Sequence, residues 1–156
     1  MKNKVVLLAL AAMMILCTAA TCSAGDDELS YNSHDGSLNV WGTTWEATSF
    51  QENGSWRTAY DSGRSLRIVF RNTTYEASYA THNNGSSGST HSVGSSYYGG
   101  DCEVQGMYIY CYDGNSRNER IRMEVIRVGL REMEANVYLP SRNDSFRVIL
   151  NQSHSI

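Results

Sequence analysis

The sequence has little of several things. Its 13 basic residues are outnumbered by 16 acidic ones, so no positive surface for nucleic acid is expected. Beyond residue 24 no stretch carries the apolar period of an amphipathic helix. The long apolar run, Val5 to Leu16, is too short for a membrane-spanning helix. Proline occurs once, at Pro140, inside the turn Pro140-Ser-Arg-Asn-Asp144. The four histidines, His34, His82, His91 and His154, show no metal-ligand spacing such as His-Glu-x-x-His. His82 and His91 would share an ion only if the segment between them folded over. There is no Gly-x-Ser-x-Gly elbow, and no Lys-Ser/Thr follows the glycines as in a phosphate loop. Glu132 and Glu134 share a face, but parity makes it the polar one, so they are not the half-buried pair that acid–base catalysis needs. No catalytic residue, metal site or cofactor is expected, and the chain is read as a non-enzyme.

Cysteine is also sparse, at four residues. Lys2 and Lys4 form a basic head, Val5 to Leu16 an apolar run, and Thr21-Cys-Ser-Ala24 a small-residue end. That is the pattern of a secretory signal peptide over residues 1–24, and it takes Cys17 and Cys22 with it. Two processing routes are open. Cleavage after Ala24 leaves a soluble start at Gly25. Cleavage before Cys22 makes that residue a lipidated N-terminus and a membrane attachment. The expected location is the periplasm, the cell surface as a lipoprotein, or the medium. Removing 24 of 156 residues leaves 132, enough for one domain with a core. The leader holds two basic and no acidic residues, so 11 basic against 16 acidic residues give the remainder a net charge of −5.

What remains is β-sequence. Residues 25–39 are polar, acidic and aperiodic, and read as a tether; the domain is expected over 40–152. Trp45, Ala47 and Ser49 alternate with Glu46, Thr48 and Phe50. Leu66, Ile68 and Phe70 alternate with Arg67, Val69 and Arg71. Tyr75, Ala77 and Tyr79 share one face, as do Ile121, Met123 and Val125, then Met133, Ala135, Val137 and Leu139, then Phe146, Val148 and Leu150. Period two is the strand period. A short strand is expected over Trp56–Tyr60. Val125, Ile126 and Val128 break the alternation, which indicates a bulge or burial on both faces there. The Gly/Ser-rich stretch His82–Ser96 has too little apolar surface to order itself and is read as a long mobile loop. About eight short strands joined by turn chemistry predict an all-β antiparallel up-and-down meander, closed or nearly closed into a barrel. A β-sandwich is the competing architecture.

The hub is Gly100-Asp-Cys-Glu-Val-Gln-Gly-Met-Tyr-Ile-Tyr-Cys-Tyr-Asp113, a hairpin turning at Gly106. Cys102 and Cys111 fall on one face, directly opposite or diagonal depending on the register. In an exported protein a disulfide between them is expected. Tyr108, Tyr110 and Tyr112 line the other face. Tyrosine joins apolar area to a hydroxyl, which suits a binding platform.

Gly42-Thr-Thr-Trp45, Leu66-Arg-Ile-Val-Phe70, and Tyr98 with Val104-Gln-Gly-Met-Tyr-Ile-Tyr110 resemble the lipocalin-like domains of small exported lipoproteins from Bacteroides-type bacteria. The resemblance spans roughly residues 40–151. The stretch Ser23-Ala-Gly-Asp-Asp-Glu28 is similar to the acidic leader after a lipidated cysteine in such proteins. The resemblance implies a meander barrel and a small apolar ligand. In that reading Trp45, Phe70, Ile109 and Met123, with Leu66, Ile68 and Val137, line the interior. The alternative is a filled barrel that binds a protein or glycan through Tyr108, Tyr110 and Tyr112.

Overall fold

Side chains alternate between apolar and polar from Thr44 onward, and the strands follow that alternation. The computed structural model describes residues 31–32, 37–84 and 90–153. The expected signal segment, Cys22, His34, His154 and most of the expected tether lie outside the described residues, as do residues 85–89 of the Gly/Ser-rich stretch and the side chain of His91.

Two short strands, β1 (Tyr31–Asn32) and β2 (Ser37–Leu38), pair with each other. Then come β3 (Thr44–Glu52), β4 (Ser55–Thr58), a one-turn helix α1 (Ala59–Ser62), β5 (Arg64–Phe70), β6 (Thr74–Asn84), β7 (Thr90–Gln105), β8 (Tyr108–Tyr112), β9 (Glu119–Val128), β10 (Glu132–Leu139), a 3-10 turn (Pro140–Arg142) and β11 (Asp144–Ser153). From β5 to β11 each strand pairs antiparallel with the next. β3 closes the ring. It pairs with β5 through Trp45↔Ile68 on one side and with β11 through Gln152↔Trp45 on the other. The result is a closed eight-strand barrel with β4 added along the far half of β3. The expected meander is therefore the architecture, and the sandwich is excluded.

Closure turns the inward parity of every strand into one core. Trp45, Ile68, Tyr79, Ile109, Ile121, Met123, Met133 and Leu150 have no exposed surface. Each large apolar side chain buried in this way contributes about 1.5–3 kcal/mol before chain entropy is counted. Aromatic rings meet inside: Tyr79 stacks on Phe146 at 5.3 Å, and Phe50 approaches Phe146 at 5.4 Å. On the outside arginines face carboxylates across strands, as in Arg67–Glu46 at 3.1 Å and Arg147–Glu134 at 2.6 Å. A pair as exposed as Arg67–Glu46 contributes a fraction of a kcal/mol, whereas the Glu134 carboxylate is largely buried.

Four expectations need correction or refinement. The Gly/Ser-rich stretch is strand on both sides of residues 85–89: β6 runs to Asn84 and β7 starts at Thr90. Ladder hydrogen bonds are made by the backbone, so a stretch with little apolar surface still pairs when it extends an existing hairpin. The packed chain also reaches back into the segment read as a tether. Leu38 is buried, and its N–H donates to the Gly106 carbonyl at 3.3 Å. The short strand expected over Trp56–Tyr60 is β4, displaced to Ser55–Thr58, and Tyr60 belongs to α1. Thr58 caps that helix through Oγ1 to the Asp61 N–H at 3.1 Å, and Gly63 ends it at φ 63°. The bulge foreseen around Val125–Val128 is present. Pairing steps from Glu134↔Arg127 to Ala135↔Val125 and leaves Ile126 unpaired and exposed. The fourth concerns the cysteines and belongs to the site.

Candidate functional site

The hub hairpin turns at Gly106-Met107, which sets Gln105 opposite Tyr108 and Cys102 opposite Cys111. Cys102 donates its N–H to Thr73 on the β6 side at 2.8 Å. Cys102 and Cys111 are therefore a non-hydrogen-bonded pair, the closer kind in an antiparallel ladder. The expected bridge is not formed here. Both cysteines are free and buried, with their sulfurs 3.6 Å apart, whereas a disulfide needs about 2.05 Å. Burial, then hydrogen bonding to Cys102, pushes the Cys111 thiol well above its ordinary value. Such a thiol is a poor nucleophile.

The residues expected to line a ligand cavity are placed inside, where they fill the space. Trp45, Ile109 and Met123 have no exposed surface and Phe70 has 1 %. Of these, Phe70 borders an open cleft of about 470 Å³, at the β5–β6 turn with Gly42, Thr44 and Arg71. The interior also holds a polar feature that strand parity does not disclose. The Tyr75 and Tyr98 hydroxyls are buried without a hydrogen-bond partner among the described residues. Burial raises the Tyr75 hydroxyl above its ordinary value, with the two thiols adding to the effect.

The outer face is organised differently. Tyr108 and Tyr110 point outward from β8, with their rings 6.2 Å apart and 24° from parallel. Cross-strand register extends them into two rows. One row is Tyr108, Glu124, Asn136 and Arg147; the other is Tyr110, Arg122, Tyr138 and Ser145. In the first row the Tyr108 hydroxyl donates to Glu124 Oε1 at 3.2 Å, and Asn136 Nδ2 donates to Glu124 Oε2 at 2.9 Å. In the second, the Arg122 guanidinium stands 5.6 Å over the Tyr138 ring. All of these residues except Tyr110 line an open cleft of about 420 Å³, which Val137 and Phe146 also border. The Glu124 carboxylate pushes the Tyr108 hydroxyl up from its ordinary value, so it stays a neutral donor.

Tyr112 does not join the other two tyrosines. The register shifts between Cys111 and Tyr112, and Tyr112 lines a separate cleft with Thr73, Glu103 and Arg117. Its hydroxyl is raised first by burial and then by Glu103. Tyr138, Arg122, Glu124 and Asn136 were not singled out from the sequence. Their outward parity on β9 and β10 was visible there, but which β8 residues they face depends on the hairpin register.

Beyond β8 the chain turns around Asp113. Its carboxylate accepts from Arg120 Nε and Nη2, at 3.1 and 2.6 Å, and from the Asn115 and Ser116 N–H groups. The hydrogen bond from Arg120, followed by that from Asn115, holds Asp113 down at about 2. Among the described residues no three His, Cys, Asp or Glu side chains converge as metal ligands. No family model and no curated protein matches the chain.

Proposed function

We propose that the protein is an exported, non-enzymatic recognition module whose filled barrel is a scaffold and whose outer tyrosine face binds a glycan. The observation that carries this reading is the near-parallel, outward Tyr108–Tyr110 pair beside a row of Glu124, Asn136 and Arg147. A pyranose ring has an apolar C–H face and a rim of hydroxyls. Flat tyrosine rings match the face, and planar carboxylate, amide and guanidinium groups match the rim. Export rests on the signal-peptide pattern of residues 1–24. The alternative, a small apolar ligand in the barrel mouth, has less support, because Trp45, Ile109 and Met123 occupy the interior.

The test is a printed glycan set probed with the wild-type protein, followed by calorimetry on the best binder. Tyr110→Ala and Glu124→Gln are expected to weaken binding at least about tenfold, or about 1.4 kcal/mol, with an unchanged far-ultraviolet circular dichroism spectrum. Wild-type binding to no glycan, or equal binding by both variants, would sink the proposal.

We also infer that Cys102 and Cys111 become oxidised on export. They are directly opposed in the ladder position that brings Cα atoms closest, and the sulfurs need only a small rotation to meet. Intact mass of the exported protein should be two hydrogens below the reduced value. The same measurement reports the cleavage site and any lipid on Cys22. Closing so short a loop should add about 2–3 kcal/mol in the chain-entropy treatment. A full complement of thiol hydrogens in protein exported to an oxidising compartment would end this inference.

A further inference from the structure

The strand β7 is 16 residues long, but β8 covers only its last four, Cys102–Gln105. β6 pairs with β7 without a register break from Asp101 back to Gly94. The Cys102 N–H bonds toward β6, and backbone groups alternate along an antiparallel strand. Even-numbered residues of β7 therefore bond to β6, and Ser95, Tyr97 and Gly99 direct N–H and C=O the other way. No described strand pairs with them there. The chain that would continue β8 instead leaves the ladder after Tyr112, and its backbone at residues 112–114 packs against Gly100.

This edge lies open in the barrel wall. It borders a cleft of about 560 Å³, walled by Asp113, Gly114 and Asn115 on one side and by Ser141 and Arg142 on the other. Exposed edges are normally guarded by charge, proline or a bulge. Residues 95–99 are Ser-Ser-Tyr-Tyr-Gly, with none of these. Tyr97 is 83 % exposed. The two arginines of the cleft differ. Arg120 is neutralised by Asp113 at 2.6 Å. Arg142 donates to Ser96 Oγ at 3.1 Å and stands 5.1 Å over the Tyr79 ring, and it makes no ion pair among the described residues.

From this geometry we infer that the free edge of β7 is a second binding site, which takes an extended acidic peptide as an added strand. The backbone of Ser95, Tyr97 and Gly99 supplies the ladder, as in other strand-addition complexes. Arg142 supplies the charge preference by pairing with a carboxylate of the incoming strand. The site is separate from the glycan face on β8–β11, and neither reading depends on the other.

The probe is a set of seven-residue peptide pools fixed at the centre as Glu, Gln or Lys, with Thr, Val, Ser and Tyr elsewhere. Binding is read by fluorescence polarisation on the full protein. The Glu pool should bind at least tenfold tighter than the Lys pool, and Arg142→Gln should erase that difference. Methylating alternate backbone nitrogens of the best peptide should abolish binding while leaving the protein untouched. Amide hydrogen exchange gives a second readout. Without peptide, the Tyr97 and Gly99 amides should exchange fast and those of Tyr98 and Gly100 slowly; the peptide should protect the first pair. Equal binding of the pools, no binding at millimolar peptide, insensitivity to methylation, or prior protection of Tyr97 and Gly99 would each overturn the inference. So would a dimer in sedimentation that dissociates on Tyr97→Pro, since a second copy would then be the occupant.

Discussion

Gly100→Ala should destabilise the protein by about 4 kcal/mol, the sum of backbone strain and forced overpacking. Gly100 sits at φ 153°, a conformation that L side chains rarely adopt. A Cβ built there would overlap the Tyr112 carbonyl oxygen and the Gly114 nitrogen, and would lie 3.0 Å from the Asp113 carbonyl carbon. All three are backbone atoms, so no side-chain rotation relieves the overlap. The crowding exists because β8 ends at Tyr112 and its chain crosses over β7 at this residue. The adjacent Gly99→Ala is the control. Its Cβ would meet the Tyr75 carbonyl oxygen at 3.6 Å, an ordinary contact, and a change within about 1 kcal/mol is expected. Urea unfolding of the two variants side by side decides the matter. Equal midpoints would show that the β7–β8 crossing is looser than described.

That crossing also separates what the sequence could disclose from what it could not. Strand parity is a local property, and it placed Trp45, Phe70, Ile109 and Met123 inward and Tyr108, Tyr110 and Tyr112 outward, as the burial pattern has them. The Gly106 hairpin confined Cys102 and Cys111 to two arrangements, and only the register chose between them. The cleft around Tyr108 depends on three successive registers, from β8 to β9, β10 and β11. A one-residue slip in any of them would put other side chains beside Tyr108. For that reason Glu124, Asn136 and Tyr138 could be assigned a face but not a neighbour. Residues 90–96 were misread on composition. Seven positions of Thr, His, Ser, Val and Gly offer little apolar surface, but β6 already presents the backbone partner that pairs with them from Thr90 onward. The free edge beside Tyr97 was hidden for the same reason, because a loop has no edge.

Trp45→Ala tests closure of the barrel, and its expected cost is about 3–5 kcal/mol. Trp45 has no exposed surface. Its strand is the one that joins the two ends of the meander, since Trp45 lies opposite Ile68 of β5 and Gln152 of β11. A cavity at this position removes packing from both seams at once. The indole also carries a hydrogen bond, with Nε1 donating to Thr43 Oγ1 at 2.8 Å while that hydroxyl donates to the Val40 carbonyl at 2.5 Å. This chain ties the segment before β3 to the core. Trp45→Phe keeps most of the apolar volume and loses the N–H, so a cost of about 1–2 kcal/mol is expected. Domains of this size hold only about 5–15 kcal/mol of stability. The alanine variant should therefore unfold at much lower urea than wild type, and the phenylalanine variant only slightly lower. A slope of unfolding free energy against urea that falls in the alanine variant alone would show that opening the seam also loosens the native barrel. If both variants unfolded at the wild-type midpoint, the β3 seam would not be what holds the ring closed.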